Sequence, residues 1–514
     1  MRWGASSECG THGRTGTERG VNPRNRVGVV GEHFDVIVVG AGLSGIGAAY
    51  HLTTRCPDRS YVILEGRSDI GGTWDLFRYP GVRSDSDMHT LGFSFKPWTH
   101  EKSIADGPSI MEYLRETVRE HRIDEKIRFN TLVSSASWST ADARWTLISR
   151  DTATGVETSY TCNFLFMCSG YYSYKHGYEP EFPGRERFRG TVVHPQKWPE
   201  DLDYAGKRVV VIGSGATAVT LVPAMAERAA KVTMLQRTPT WMVSRPDVDA
   251  VANRLRKVLP GRAAYAITRL RNTTFQQIAY KRTRTQPERV RAFLLDEIRK
   301  ELPEGFDIDK HFTPPYNPWD QRLCLVPNGD FFKAIKAGKV DVVTDKILNW
   351  TESGIDLVSG EHLDADIIVT ATGLELVTLG EMDFDVDGEP VDFAKTWTYK
   401  GLAYSGVPNL VSTFGYINAS WTLRADLTSE YVCRLLNHMR STRTRICRPT
   451  LRPEDASMPE RRWIEDFSSG YMERVMHLFP RQGDREPWIN PQNFKRDKKM
   501  FRKSPIDDGV MIFG

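Results

Sequence analysis

The amino-acid sequence lacks any apolar run near the roughly 18 residues that a membrane-spanning helix requires. Its seven cysteines are scattered and include no C-x-x-C pair, which favours free thiols in a reducing cytoplasm over a disulfide framework. A strong excess of one charge is also missing, and a net charge of +4 predicts no overall attraction to nucleic acid or to an anionic membrane. We therefore expect a cytoplasmic protein that binds no nucleic acid and has no integral membrane segment.

The length of 514 residues is too great for one ordinary core and predicts several domains. The first 33 residues differ from the rest, because arginines alternate there with Gly, Ser, Thr and Asn. They contain no apolar segment of the kind that a secretory signal requires. We expect a disordered tail over residues 1–33.

Two glycine-rich loops each follow a short apolar run that is typical of a buried parallel strand. In the first loop Gly40 makes the tight turn, Gly42 lets the backbone approach a pyrophosphate, and Gly45 allows close packing of helix and strand. Ser44 lies in the same loop, where the helix N-terminus offers free N–H groups to phosphates. Glu65 ends the next predicted strand, where a carboxylate binds a ribose hydroxyl. The acid and the N-terminal position favour FAD at this loop.

Residues 71–85, here called the aromatic loop, combine turn residues with Trp and Tyr. Such loops often wrap a planar ligand, so we expect Thr73, Trp74 and Asp85 to lie at the flavin. A packed surface loop is the alternative interpretation. No C-x-x-x-x-C follows the first glycine-rich loop, which weighs against a disulfide reductase.

The second glycine-rich loop contains Gly213, Gly215 and Thr217, and Ala218 stands in place of the third glycine. The strand after it has no acidic residue at its end and is followed by Arg237. An arginine there can neutralise a 2′-phosphate that a carboxylate would repel, which favours NADPH over NADH. A solvated surface arginine is the alternative.

Two such loops imply two dinucleotides held together. We therefore expect an α/β fold with two Rossmann-like dinucleotide-binding domains, the NADP domain being inserted in the FAD domain. The predicted ranges are 34–185 and 376–440 for the FAD domain, 186–375 for the NADP domain, about 248–303 for a helical insert within it, and 441–514 for an irregular C-terminal wrap.

The helical insert is basic, with thirteen Lys or Arg against four Asp or Glu from Arg254 to Glu301. We interpret it as a solvated cap over the active site. A nucleic-acid or membrane surface is the alternative.

The run between the two loops, Phe188-x-Gly190-x-x-x-His194-x-x-x-Trp198-Pro199, resembles the fingerprint of type I Baeyer–Villiger monooxygenases, which are class B flavoprotein monooxygenases. Flavin monooxygenases that oxidise nitrogen and sulfur carry a similar run, usually without the Trp-Pro ending. The aromatic loop also resembles the second motif of the Baeyer–Villiger family. Within that family, residues 75–81, 198–204 and 317–324 are most similar to the ethionamide-activating subgroup.

The resemblance implies a chemistry. NADPH reduces the flavin, which adds O2 at C4a to give a peroxide. The deprotonated peroxide converts a ketone to an ester or lactone, and the protonated form oxidises sulfur in a thioether or thioamide. The expected partners are such small molecules and O2. Assembly into a homo-oligomer is possible but is not decided by the sequence. The rival interpretations are an N- or S-oxygenating monooxygenase with little Baeyer–Villiger activity, a peroxide-releasing reductase or oxidase, and a basic binding module.

The resemblance also implies roles for individual residues. In the family an arginine from the segment of Arg322 lies beside the flavin, where a guanidinium stabilises a peroxy anion and a developing oxyanion. Asp85 matches the aspartate that orients that arginine, and a purely structural ion pair is the alternative. We expect His194 and Trp198 to act in a hinge or in domain positioning, and a general base at His194 is the alternative.

Overall fold

The computed structural model describes residues 29–514, so residues 1–28 of the predicted tail lie outside the described part. The first strand begins at Val29, before the predicted end of the tail at residue 33. Residues 29–33 are in a strand because Val29 and Val30 pair with Thr158 and Ser159 of a distant strand, a contact that local composition does not reveal.

The described chain forms strands and helices as follows. The strands are β1 (Val29–Val39), β2 (Tyr61–Leu64), β3 (Ile127–Arg128), β4 (Thr131–Ser139), β5 (Arg144–Asp151), β6 (Glu157–Met167), β7 (Thr191–Val193), β8 (Arg208–Ile212), β9 (Lys231–Gln236), β10 (Met242–Arg245), β11 (Cys324–Pro327), β12 (Val340–Thr344), β13 (Ile347–Trp350), β14 (Gly354–Leu357), β15 (His362–Asp364), β16 (Ile367–Thr370), β17 (Asp383–Val386), β18 (Glu389–Pro390), β19 (Thr398–Tyr399), β20 (Ala403–Tyr404), β21 (Leu410–Ser412), β22 (Cys447–Pro449) and β23 (Met511–Phe513). The helices are α1 (Leu43–Arg55), α2 (Thr73–Leu76), α3 (Met88–Leu91), α4 (Gly107–Glu120), α5 (Ala216–Ala226), α6 (Ala250–Val258), α7 (Gly261–Thr285), α8 (Pro287–Glu301), α9 (Ile308–Phe312), α10 (Asp330–Lys336), α11 (Thr422–Thr442), α12 (Gly470–Glu473) and α13 (Phe494–Lys503).

The first sheet has the strand order β18-β17-β4-β5-β6-β1-β2-β3, and β21 also pairs with β6. Its central strand β1 pairs in parallel with both β2 and β6. Val36, Ile37 and Val38 of β1 are fully buried, because the central strand of such a sheet is covered on both faces. This explains why the run before the first glycine-rich loop is continuously apolar.

The second sheet has the strand order β12-β9-β8-β16-β7, and all its neighbouring strands are parallel. These five strands lie between residues 191 and 370, whereas the first sheet takes its strands from before and after that stretch. The second domain is therefore inserted in the first, and the predicted fold class is confirmed. The predicted helical insert is present as α6, α7 and α8, between β10 and β11.

The chain passes between the two sheets twice, through residues 168–190 and 371–382, here called the crossing segments. The two segments are hydrogen-bonded to each other. The Val377 N–H donates to the Tyr171 carbonyl at 3.0 Å, and the Ser173 N–H donates to the Glu375 carbonyl at 2.9 Å. The links between the domains are thus paired.

The C-terminal region is more regular than the sequence predicts. It contains α12, α13 and the antiparallel pair of β22 and β23, and α13 packs against α11. Trp488 and Phe501 are fully buried there, and Arg424 of α11 lies 3.7 Å from Asp497 of α13. Among the described residues, no helix combines the length and the apolar character needed to cross a bilayer.

Candidate active site

A cavity of about 1430 Å³ lies between the two sheets. Its walls include the residues that directly follow the carboxyl ends of β1, β2, β6, β8, β9 and β16. Ligands of open α/β sheets bind at this end of the strands. The cavity brings together most of the predicted site residues, namely Gly40, Gly42, Ser44, Glu65, Thr73, Trp74, Asp85, Gly213, Gly215, Thr217, Arg237 and Arg322.

Gly45 and Ala218 are predicted site residues that do not line this cavity, because each faces the interior of its own domain. A Cβ on Gly45 would lie 1.9 Å from the Gly40 carbonyl oxygen, so α1 contacts its loop directly. Ala218 is fully buried in the core of the second domain. Both positions therefore have the packing role that the third position of such a loop requires.

The middle glycines of the two loops leave open space. Gly42 has φ −77° and Gly215 has φ −74°, values that any residue adopts. A Cβ on Gly42 would meet only Gly72, at an ordinary 3.7 Å, and a Cβ on Gly215 would meet nothing within 4 Å. Neither the backbone nor the protein around it requires a glycine here. A ligand that approaches the backbone closely does, and the loops therefore fit dinucleotides.

The first turns of the two helices that begin beside these glycines also lack a capping side chain. Gly42 is the N-cap of α1 and Gly215 is the N-cap of α5, and neither helix has a side-chain hydrogen bond at its N-cap. The first N–H groups of a helix have no partner within the helix. Together with the positive end of the helix dipole they form an anion site, which suits pyrophosphate.

The carboxylate of Glu65 is buried and held by the loop it faces. It accepts hydrogen bonds from the N–H of Ala41 at 2.6 Å and from the N–H of Arg67 at 2.9 Å. Burial raises the pKa of Glu65, even though these two donors favour the charged form. The side chain is thus fixed at the end of β2.

The aromatic loop is held in place by charge pairs on both domains. Buried Asp75 accepts a hydrogen bond from Arg78 at 2.6 Å and also pairs with Arg67. Farther along the loop, Arg83 forms an ion pair with Asp330 of α10. The loop therefore connects the first domain to the inserted one and brings α2 to the cavity.

Arg237 and Arg322 occupy different surroundings in the same cavity. Arg237 is exposed and follows the last residue of β9. Arg322 forms an ion pair with Asp85, donates to the Ile417 carbonyl at 2.8 Å, and lies over the Trp319 ring. Burial lowers the pKa of Arg322, but the charge and hydrogen bond of Asp85 together with the neighbouring Tyr471 and Tyr171 raise it, and the pKa lies above its ordinary value. The predicted pairing of Arg322 with Asp85 is thus present, and its catalytic role stays a prediction.

An aromatic wall beside this pair was missed by the sequence reasoning. Tyr171 stacks on Trp421 at 5.0 Å between ring centroids, and its hydroxyl lies 2.7 Å from that of Tyr172. The indole N–H of Trp421 donates to Ser44 Oγ at 2.8 Å. Tyr171 and Tyr172 follow the small-residue turn after β6, so their position at the carboxyl end of a parallel strand was an available signal.

The C-terminal region supplies two further cavity residues that no sequence pattern indicated. Tyr471 lies in α12, and Arg474 follows that helix directly. The Arg474 guanidinium lies 3.5 Å from the ring centroid of Tyr178, which is in the first crossing segment. Part of the site therefore comes from the region predicted to be a wrap.

His194 and Trp198 lie away from the cavity lining. The Gln196 N–H donates to Nδ1 of His194 at 3.2 Å, so Nε2 carries the proton and donates to the Gly373 carbonyl at 3.1 Å. Burial lowers the pKa of His194, which keeps the ring neutral. This contact ties the end of β7 to the second crossing segment and supports the predicted positioning role.

Comparison with known proteins agrees with this geometry. The family described as FMO-like, flavin-binding monooxygenase-like, matches residues 34–377. The FAD-containing monooxygenase EthA of Mycolicibacterium smegmatis is 54% identical over 485 residues, which cover 94% of this chain and 97% of that protein. The predicted likeness to the ethionamide-activating subgroup is thereby confirmed.

Solved structures show the same fold. An oxidised steroid monooxygenase bound to NADP is similar with a TM-score of 0.74 and 24% identity, covering 94% of this chain and 99% of that one. OTEMO in complex with FAD and NADP has a TM-score of 0.73 and 21% identity, with coverages of 94% and 99%. With a family match over more than half of its length and a relative above 50% identity, the chain belongs to the flavin-binding monooxygenase-like family.

Proposed function

We propose that this protein is an FAD-containing, NADPH-dependent monooxygenase that inserts one oxygen atom from O2 next to the carbonyl of a ketone, giving an ester or lactone. The first glycine-rich loop and Glu65 hold FAD, and Thr73 and Trp74 contact it. The second loop holds NADPH, with Arg237 on the 2′-phosphate. When bound, FAD accepts a hydride from NADPH and activates O2.

The observation that carries the proposal is the pair of Arg322 and Asp85 at the cavity wall. Arg322 uses one N–H on Asp85 and another on the Ile417 carbonyl, which fixes the orientation of the guanidinium. A fixed, permanently charged donor stabilises an oxygen anion without reorganising during the reaction. A peroxide-releasing oxidase has no need of such a group.

Oxidation of a thioether or thioamide sulfur is the second candidate, and it depends on a proton donor. Tyr171 and Tyr172 line the same cavity, and burial raises the pKa of both hydroxyls. Both therefore keep their protons at neutral pH. Because the two hydroxyls are hydrogen-bonded to each other, the pair offers one neutral hydroxyl donor for sulfur oxidation, beside the cation for ketone oxidation.

The test compares product formed with NADPH consumed by the holoenzyme, using a simple ketone and a simple thioether. We expect ester from the ketone in amounts close to the NADPH consumed. The Arg322→Ala enzyme should still reduce its flavin with NADPH in the absence of O2, while its rate of ester formation falls about 100-fold or more.

Arg284→Ala is the matched control. Arg284 pairs at 2.6 Å with Asp320, which lies in the same segment as Arg322, but Arg284 does not line the cavity. It should keep nearly full ester formation. Release of all the electrons as hydrogen peroxide would refute a monooxygenase. Sulfoxide without any ester would assign the protein to the sulfur-oxidising relatives instead.

A further inference from the structure

The first two helices of the insert have an unusual charge composition. Residues 250–285, which hold α6 and α7, contain nine Lys or Arg and no Asp or Glu. The chain as a whole is nearly balanced, with 69 basic and 65 acidic residues. This 36-residue stretch is therefore a local positive surface in a protein of low net charge.

The same stretch exposes large apolar side chains. On α7, Leu270 is 69% exposed, Phe275 61%, and Ile267 and Ile278 47% each. Their spacing of i, i+3, i+8 and i+11 places them on one side of the helix. Val251 and Val258 are also exposed on α6, so six of the thirteen exposed large hydrophobic residues in the described part lie here. We call the four exposed residues of α7 the apolar stripe.

The opposite side of α7 is anchored to the protein. The Tyr265 hydroxyl donates to the Phe93 carbonyl at 3.0 Å, and Arg269 donates to the Gly92 carbonyl at 2.8 Å. Asn272 donates to Asp87 at 3.0 Å. Because these contacts fix the rotation of the helix, the apolar stripe is held facing outward and does not turn into the core.

The basic side chains of α6 and α7 divide into two groups. Those of Arg256, Arg269 and Arg284 bond to the body of the protein, and Arg271 pairs with Asp249 at the N-terminus of α6. Five others are exposed and, among residues 29–514, have no ion-pair partner within 4.0 Å. They are Arg254, Lys257, Arg262, Lys281 and Arg282. Lys281 and Arg282 lie on the same side of α7 as the apolar stripe, just beyond Ile278, whereas Arg262 lies at the other end of the helix.

We propose that α6 and α7 form a docking surface for a bilayer that contains anionic lipid. An outward apolar stripe flanked by cations is what a helix lying in the plane of a membrane interface requires. The apolar side chains enter the headgroup boundary, and the exposed cations attract the negative surface. A second copy of this chain fits less well, since two identical positive faces repel each other.

The test is flotation of the holoenzyme with vesicles of phosphatidylcholine alone or with about 30% phosphatidylglycerol added. We expect capture by the anionic vesicles only, and loss of most of it in about 0.5 M salt, where surface charges are screened. The double variant Leu270→Ser with Phe275→Ser should lower capture about tenfold or more. Lys281→Gln with Arg282→Gln should lower it by a similar factor.

The control is Leu348→Ser with Val358→Ser, because these residues are equally apolar and 58% exposed each but lie outside the insert. The control should float like the parent protein, and all variants should keep their ketone oxidation. Equal capture by neutral vesicles, no capture at all, or capture unchanged by the stripe variants would overturn the proposal. So would a stripe variant that instead converts a dimer to a monomer in sedimentation velocity without lipid.

Discussion

The two glycine-rich loops have the same strand-loop-helix form, yet they tolerate different residues at the third position. In the first loop a Cβ at Gly45 would collide with the Gly40 carbonyl. In the second, Ala218 carries a Cβ and is fully buried without such a collision. The comparison shows that the residue at the third position depends on how closely the helix packs against the loop. A glycine at the middle position, Gly42 or Gly215, has free space around it in the protein and leaves room for a ligand.

The loops also differ at the residue after the following strand. Glu65 is buried and receives two backbone N–H groups, so the first domain fixes its acid before any ligand binds. Arg237 is exposed and directly follows β9, so the second domain presents its cation to the solvent. The first loop is thus accompanied by a preorganised acid and the second by a solvated cation.

The largest effect is expected at the third position. Gly45→Ala should destabilise the protein by about 4 kcal/mol or more, because its Cβ cannot avoid a backbone oxygen. Thermal unfolding and the FAD content of the purified protein measure this. The reciprocal change Ala218→Gly should cost about 2 kcal/mol, the helix propensity difference together with the loss of a buried methyl group. Equal losses for the two variants would mean that the loops pack alike.

A smaller and different effect is expected at the middle position. Gly42→Ala should fold normally, because the protein leaves room for the methyl group. It should nevertheless bind FAD about tenfold more weakly, a loss of about 1.4 kcal/mol. Gly215→Ala should keep its FAD and bind NADPH about tenfold more weakly. Flavin absorbance and anaerobic titration with NADPH separate the two. A Gly42→Ala protein with unchanged affinity for FAD would contradict the assignment of the first loop.

The most selective effect is expected at Arg237. Arg237→Ala should weaken NADPH about 10- to 100-fold, the value of a charge-assisted hydrogen bond, while the KM for NADH changes by about twofold or less. Steady-state KM values for both nucleotides measure it. Arg228→Ala removes another exposed arginine of the same domain, outside the cavity lining, and should alter neither value. An equal loss for both nucleotides would show that Arg237 does not bind the phosphate.

The sequence predicted the features that are local. Apolar runs ending in glycine predicted β1 and β8, and the basic helical pattern predicted α6 to α8. The sequence did not predict residues whose environment is formed by distant parts of the chain. Trp421 reaches Ser44 across 377 residues, and Tyr471 sits on a four-residue helix without periodicity. Such positions are fixed by packing between residues far apart in the sequence, and this packing leaves no periodic pattern in a single sequence.

The paired crossing segments have a mechanical consequence. Because the two links are hydrogen-bonded to each other, a rotation of the inserted domain has to twist both of them together. Tyr171 and Tyr172 lie on one of these links and also line the cavity, so this part of the cavity wall is coupled to the links. A rotation of the inserted domain would therefore move one wall of the cavity that lies between the two sheets.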